Sequence, residues 1–200
     1  SLSAAGLADG TYKLFTVDAA GNLSAASTNS VTIDSTAPTV SSIAYGTNDA
    51  NLAAGESVTL TVTFSEAVNV TGTPTIALNS GGSASYTSGT GTNTLTFSYT
   101  PAAGQTTADL ATATNNAFSG TITDAAGNAV VASGFNNVNP TGTLAVDTSA
   151  PTATLTAATI PNTSSVTVQS TETGTAYLVN TSVTVTNLAS ITGAADSNWN

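Results

Sequence analysis

One short phrase occurs twice in this chain: Asp18-Ala-Ala-Gly-Asn22 returns as Asp124-Ala-Ala-Gly-Asn128. Each copy leads to a second phrase, Ile33-Asp34-Ser-Thr-Ala-Pro38 and then Val146-Asp147-Thr-Ser-Ala-Pro151. A turn and a linker repeated in the same order mark a tandem array rather than one continuous domain. The linker copies are separated by a typical domain length. They divide the chain into residues 1–36, 37–148 and 149–200.

The middle segment alternates apolar and polar residues with the period of two that marks half-buried strands. Val58, Leu60, Val62 and Phe64 alternate with threonines, and Leu95, Phe97 and Tyr99 repeat the pattern. Ile76 and Leu78 lead through Gly81-Gly82 to Ala84 and Tyr86, a hairpin signal. The expected strands are 39–45, 57–64, 74–79, 83–88, 94–99, 117–123 and a broken 129–147. Residues 107–114 are the one candidate for a helical turn. Seven short strands punctuated by turns predict an all-β fold, an immunoglobulin-like Greek-key β-sandwich.

Residues 149–200 restart the pattern, with Leu155, Val166 and Val168, Tyr177 and Val179, and Val183 and Val185 as expected strands. Residues 1–36 hold a strand at 11–17, the turn, and a strand ending at Ile33. So short a piece is too small for a core of its own. The outer segments therefore read as the back and front parts of further domains of an elongated array, a section of something longer.

Only 6% of residues are charged, against roughly 25% in an average domain. Eleven carboxylates face a single basic side chain, Lys13. A net charge of −10 excludes a basic nucleic-acid surface and attraction to anionic membranes. A cation is the natural partner. No apolar run approaches the length of a membrane helix. The absence of Cys and His removes disulfides, thiolate or imidazole metal sites, and the usual nucleophile–base pairs.

The phrases Asp9-Gly-Thr-Tyr12, Val17-Asp-Ala-Ala-Gly-Asn22 and Thr32-Ile-Asp-Ser-Thr-Ala-Pro38 resemble the ends of bacterial immunoglobulin-like repeats. Val62-Thr-Phe-Ser-Glu-Ala-Val68 and Gly72-Thr-Pro-Thr-Ile-Ala-Leu78 resemble such arrays too. The resemblance implies a segment of a giant cell-surface adhesin or related extracellular repeat protein. It also implies calcium between domains as a stiffener. Glycine-aspartate nonapeptide calcium repeats are not present.

In a seven-strand sandwich the loops after the second, fourth and sixth strands share the end where the chain arrives. That places Glu66 and Asp124 at this end of the middle domain, with Asp34 in the linker and Asp9 on the preceding domain. At the other end, Asp49, Glu56, Asp109 and Asp147 are expected to meet Glu172 of the third segment. Clustered carboxylates repel one another unless a cation joins them. Calcium accepts carboxylate, amide and carbonyl oxygens in tolerant geometry, which suits this composition. Asp34, Glu66 and Asp124 are expected as core calcium ligands of the first junction, and Asp147 and Glu172 as the start of the second. The competing reading is that these aspartates are only turn formers, with Gly127 at positive φ.

Tyr12 fits the tyrosine that closes the corner before a late sandwich strand. Lys13 alternates outward and does not suit an isopeptide bond. Trp199 reads as core. Paired carboxylates on a convex end offer no cleft for glycosidase chemistry, so no enzyme activity is expected. The chain is expected to space and stiffen an extracellular fibre on a bacterial cell surface or in a biofilm. Its partners would be neighbouring repeats of the same or adjacent chains. Two alternatives stand beside this: an adhesive module for glycans or proteins using loop 101–116, and a self-assembling filament subunit whose partial domains complete one another between copies.

Overall fold

The computed structural model describes residues 1–199, and they form two compact units, Ser1–Ser149 and Ala150–Asn200. The protein is all-β, with strands in mainly antiparallel sheets and very little helix. No helix among the described residues is long and apolar enough to cross a membrane.

In the first unit, β1 (Gly10–Lys13) pairs with β2 (Ser30–Ile33) as an antiparallel ribbon. The main sheet contains β3 (Val40–Tyr45), β5 (Val58–Ala77), β6 (Ser83–Ser88), β7 (Thr92–Tyr99) and β8 (Phe118–Thr123). A short parallel pair joins β4 (Asn51–Leu52) to β9 (Ala145–Val146).

The organising element is β5. Its first half lies between β3 and β7, with Leu60 opposite both Tyr45 and Phe97. Its second half lies between β8 and β6, with Ile76 opposite Phe118 and Ala84. One strand thus serves two sets of partners. Side chains from both halves, Val58 to Phe64 and then Ile76, meet in the same buried cluster. Of the inward residues read from alternation in the middle segment, Leu95, Phe97, Tyr99, Leu144 and Val146 are in that cluster, while Tyr86 packs against it partly buried.

Three expectations are corrected. Strands 57–64 and 74–79 are not separated by a loop. The residues between them stay extended because no glycine or proline interrupts them before Gly72 and Pro74. Pro74, which lacks an N–H, falls where the pairing with β8 shifts register between Thr71 and Thr75. Facing it, Gly120 (φ 130°) leaves the room a side chain would fill, since a Cβ there would lie 2.7 Å from Pro74 Cα. The expected strand at 129–147 is replaced by a bridge at Ala129, a 3-10 turn at Ala132–Phe135 and β9. That turn drives Phe135 into the core, stacked on Phe118 with ring centres 4.6 Å apart. Finally, residues 107–114 form bends and isolated bridges rather than a helical turn.

Loop 101–116 is held down along its length. Leu110 is fully buried, its N–H donates to Leu144 O at 2.8 Å, and Thr112 N–H donates to Val138 O at 2.9 Å.

In the second unit, β10 (Ala153–Leu155) pairs with β11 (Val168–Ser170). The strands expected around Tyr177–Val179 and Val183–Val185 are not formed, and a short helix, α1 (Leu188–Thr192), follows them. Asn187 and Ser190 cap it reciprocally. Trp199 is half-buried against Tyr177.

Candidate metal centre

The turn at 124–128 is built around its aspartate. Asp124 Oδ1 accepts from the N–H groups of Gly127 at 2.7 Å and Asn128 at 2.9 Å, and Oδ2 accepts from Asn128 Nδ2 at 2.7 Å. Gly127 takes φ 96°, as the turn reading expects, because the chain must reverse where a side chain would be strained. The other Asn128 amide proton bridges to the linker, reaching Asp34 O at 3.0 Å and more weakly Thr36 O at 3.4 Å. From the opposite side, Asp9 accepts from Ser35 N, Ser35 Oγ and Thr36 Oγ1 at 2.8–3.0 Å. The linker is therefore clasped between Asp9 and Asn128.

Glu66 arrives by strand alternation. Phe64 and Val68 point into the core, and Glu66 occupies the inward position between them. Its neighbourhood is irregular, since the pairing of β5 with β7 shifts register between Thr63 and Val68. Glu66 was expected in a loop, and it stands instead on the continuous strand β5.

Asp34, Glu66 and Asp124 each offer one carboxylate oxygen, and these oxygens all lie within 4.8 Å of one another. Asp124 is buried, at 3% exposure, and the other two are half-buried. Burial pushes the Glu66 carboxyl above its ordinary range, and the charges of Asp34 and then Asp124 push it further. Burial alone would also raise Asp124. The hydrogen bonds from Asn128, Gly127 and Ala126 outweigh it and hold Asp124 below its ordinary range. Asp124 is thus kept ionised beside a glutamate that resists ionisation, as crowded like charges require.

The remaining acids stand apart from this group. Asp9 is taken up by the linker contacts, which lower its pKa through Ser35 and Thr36. Asp49 accepts from Asn51 N at 3.2 Å, and Glu56 from Ala53 N at 2.9 Å. Asp109 accepts from Asn139 Nδ2 and Leu144 N, which lower its pKa. Asp147 accepts from Ser149 N at 2.9 Å. Among the described residues of the first unit, only Asp34, Glu66 and Asp124 form a gathered group. Glu172 is exposed in the second unit, just beyond β11.

The donor set can be tested for fit. Calcium binds oxygens at about 2.3–2.6 Å, so two ligands across one ion are separated by up to about 5 Å. Oxygens within 4.8 Å of one another meet that limit. The set contains only hard oxygen donors, which suits calcium or magnesium rather than zinc or copper.

Tyr12 Oη donates to Ala8 O at 2.8 Å, a bond back to the backbone four residues upstream. Lys13 is exposed on β1. The contribution of Asn128, whose amide joins turn to linker, was missed in the sequence. Its signal was present in the repeated phrase, where Asn closes each copy beside Asp. No protein-family model, no curated protein and no solved structure matches this chain.

Proposed function

We propose that this chain is a spacer segment of a long bacterial cell-surface adhesin or extracellular fibre, built from tandem immunoglobulin-like sandwiches and stiffened by calcium at a domain junction. Asp34, Glu66 and Asp124 hold the ion. The observation that carries the reading is the meeting of three carboxylates from three distant parts of the chain, one of them buried. The only basic side chain in the sequence is exposed on β1.

An ion at this point would tie the linker, through Asp34, to β5 and to the turn at 124–128. It would thereby fix the angle at which the chain enters the sandwich. The work is mechanical, not catalytic. Neighbouring repeats are the expected partners, outside the cell. The tight anchoring of loop 101–116 favours this reading over an adhesive module, because that loop has little freedom to mould to a glycan.

Calorimetric titration of metal-free protein with calcium tests the proposal, alongside thermal melting in calcium and in chelator. Saturable binding with a raised melting temperature is expected. An unchanged melt and no binding heat would overturn it.

A further inference from the structure

The three gathered carboxylates are not held in the same way. Asp124 is fixed by its own turn, with bonds from Gly127 and Asn128 at 2.7–2.9 Å. Glu66 is fixed by the continuous strand β5. Asp34 stands in the stretch 34–39, which belongs to no strand or helix. Its place depends on side-chain bonds that reach this stretch from two sides.

One side is the turn at 124–128, where Asn128 Nδ2 donates to Asp34 O at 3.0 Å. The other side is the β1–β2 ribbon. The registered pairing of that ribbon ends with Gly10 opposite Ile33. The next residues along the two strands are Asp9 and Asp34, and like charges at facing positions repel. Asp9 is not one of the gathered carboxylates. Its carboxylate is engaged one step further along the linker. Oδ1 accepts from Ser35 N at 3.0 Å and Ser35 Oγ at 2.8 Å, and Oδ2 accepts from Thr36 Oγ1 at 3.0 Å.

Thr36 carries this contact to the ligand group. Its hydroxyl donates to Asp9, and its N–H donates to Asp34 Oδ1 at 3.0 Å. Among the described residues the hydroxyl has no other partner. Asp9 therefore reaches the Asp34 carboxylate through one residue and two hydrogen bonds.

We propose that Asp9 is a positioning residue for the ion site: by holding Ser35 and Thr36 it aims the Asp34 carboxylate at Glu66 and Asp124, so the β1–β2 ribbon sets how tightly calcium is held. The inference rests on the calcium reading of those three carboxylates. Groups that orient a metal ligand commonly govern affinity about 10–100-fold. Asp9 is exposed and acts through Thr36, so its effect belongs at the low end, about tenfold. Coupling of this kind is reciprocal. An ion in the site tightens the clasp of Asp9 on the linker, and a ribbon pulled away from the linker loosens the ion.

Calorimetric titration of the intact chain with calcium tests this in four proteins. Wild type should bind, and Asp9→Ala should bind about tenfold more weakly. Thr36→Val, which cuts the same relay without changing the charge, should also weaken binding. Asp18→Asn removes a carboxylate charge from the same ribbon at a turn bonded only within itself, and should leave affinity unchanged. Europium in place of calcium gives a signature that loss of stability alone would not move. Its emission lifetimes in light and heavy water should report more bound water in Asp9→Ala, because Asp34 is no longer aimed at the ion. The exposed Ser35 amide, a donor to Asp9, should exchange its hydrogen more slowly in calcium than in chelator. Wild-type affinity in Asp9→Ala or in Thr36→Val, an equal loss in Asp18→Asn, or unchanged europium hydration would each overturn the positioning role while leaving the calcium site standing. No binding to the wild type would overturn both.

Discussion

The side-chain amide of Asn128 donates to the backbone carbonyl of Asp34 at 3.0 Å, joining two residues 94 positions apart. The same amide group holds Asp124 Oδ2 at 2.7 Å. One side chain therefore fastens the turn to the linker and fixes a buried carboxylate. Asn128→Ala should cost about 1–3 kcal/mol, the range for stranding a buried acceptor. The sequence-equivalent Asn22→Ala should cost under about 1 kcal/mol, because water can replace a bond at an exposed site. Urea unfolding followed by circular dichroism, at a concentration where the chain is monomeric, measures both.

Glu66 should reverse its effect with metal. In chelator its charge is opposed by burial and by two neighbouring aspartates, so Glu66→Gln should raise the melting temperature. With calcium present the wild type should gain stability that the variant lacks, since ligand binding to the folded state adds stability by mass action. Melting curves of both proteins in both conditions read this crossing. A variant that is less stable in both would contradict the repulsion argued here.

Two glycines separate steric crowding from backbone conformation. Gly127 has φ 96° with nothing within 4 Å of an added Cβ. Gly127→Ala should therefore cost only the left-handed conformation, about 1–2 kcal/mol. Gly120 combines φ 130° with a Cβ position 2.7 Å from Pro74 Cα and 2.8 Å from its Cβ. Neither is the far end of a flexible chain, so β8 must move away from β5. Gly120→Ala should cost more than Gly127→Ala, at least about 3 kcal/mol. Equal losses in denaturant midpoints would show that the sheet yields easily there.

Much of this fold was legible in the sequence, because burial on one face of a strand imposes a period of two. Val58 to Phe64 and Leu95 to Tyr99 carry that period and are buried as read. Asp34, Glu66 and Asp124 were read as one group and their carboxylates do lie together, but Glu66 comes from the continuous strand β5 and not from the loop expected for it. What escaped was the irregular stretch after the second turn. Phe135 has no alternating neighbours, and only the packing against Phe118 and Phe64 explains why residues 132–135 coil inward. The continuity of β5 escaped too, because Gly72 and Pro74 read as a break although a register shift absorbs them. In the second unit, Val183 and Val185 alternate like a strand but have no partner strand to pair with among the described residues.

Phe135 offers a test of that missed packing. It is fully buried, stacked on Phe118 at 4.6 Å and tilted against Phe64 at 6.1 Å. Phe135→Ala should cost about 3–5 kcal/mol, as for large aromatic deletions in cores. Leu14→Ala, at a residue 50% exposed, should leave the unfolding midpoint of the monomer nearly unchanged.

Asp109, outside the group of three carboxylates, should set part of the acid limb of stability. The Asn139 amide, then the Leu144 N–H, hold its carboxyl below the usual range, and they more than offset the effect of burial. A carboxyl lowered in the folded state stabilises at pH values above its unfolded pKa of about 4. That stability is lost as pH falls through the folded pKa. Its charge also acts on Tyr45, whose hydroxyl donates to Leu110 O. Burial first, and Asp109 second, push Tyr45 up to about 12. Asp109→Asn should therefore flatten the loss of stability below pH about 4, while lowering stability at neutral pH. It should also shift the Tyr45 titration downward, toward the value set by burial alone. Urea midpoints against pH read the first effect, and tyrosinate absorbance under alkaline titration reads the second. An unchanged acid limb in the variant would mean that the Asn139 and Leu144 bonds favour the charged form no more than water does.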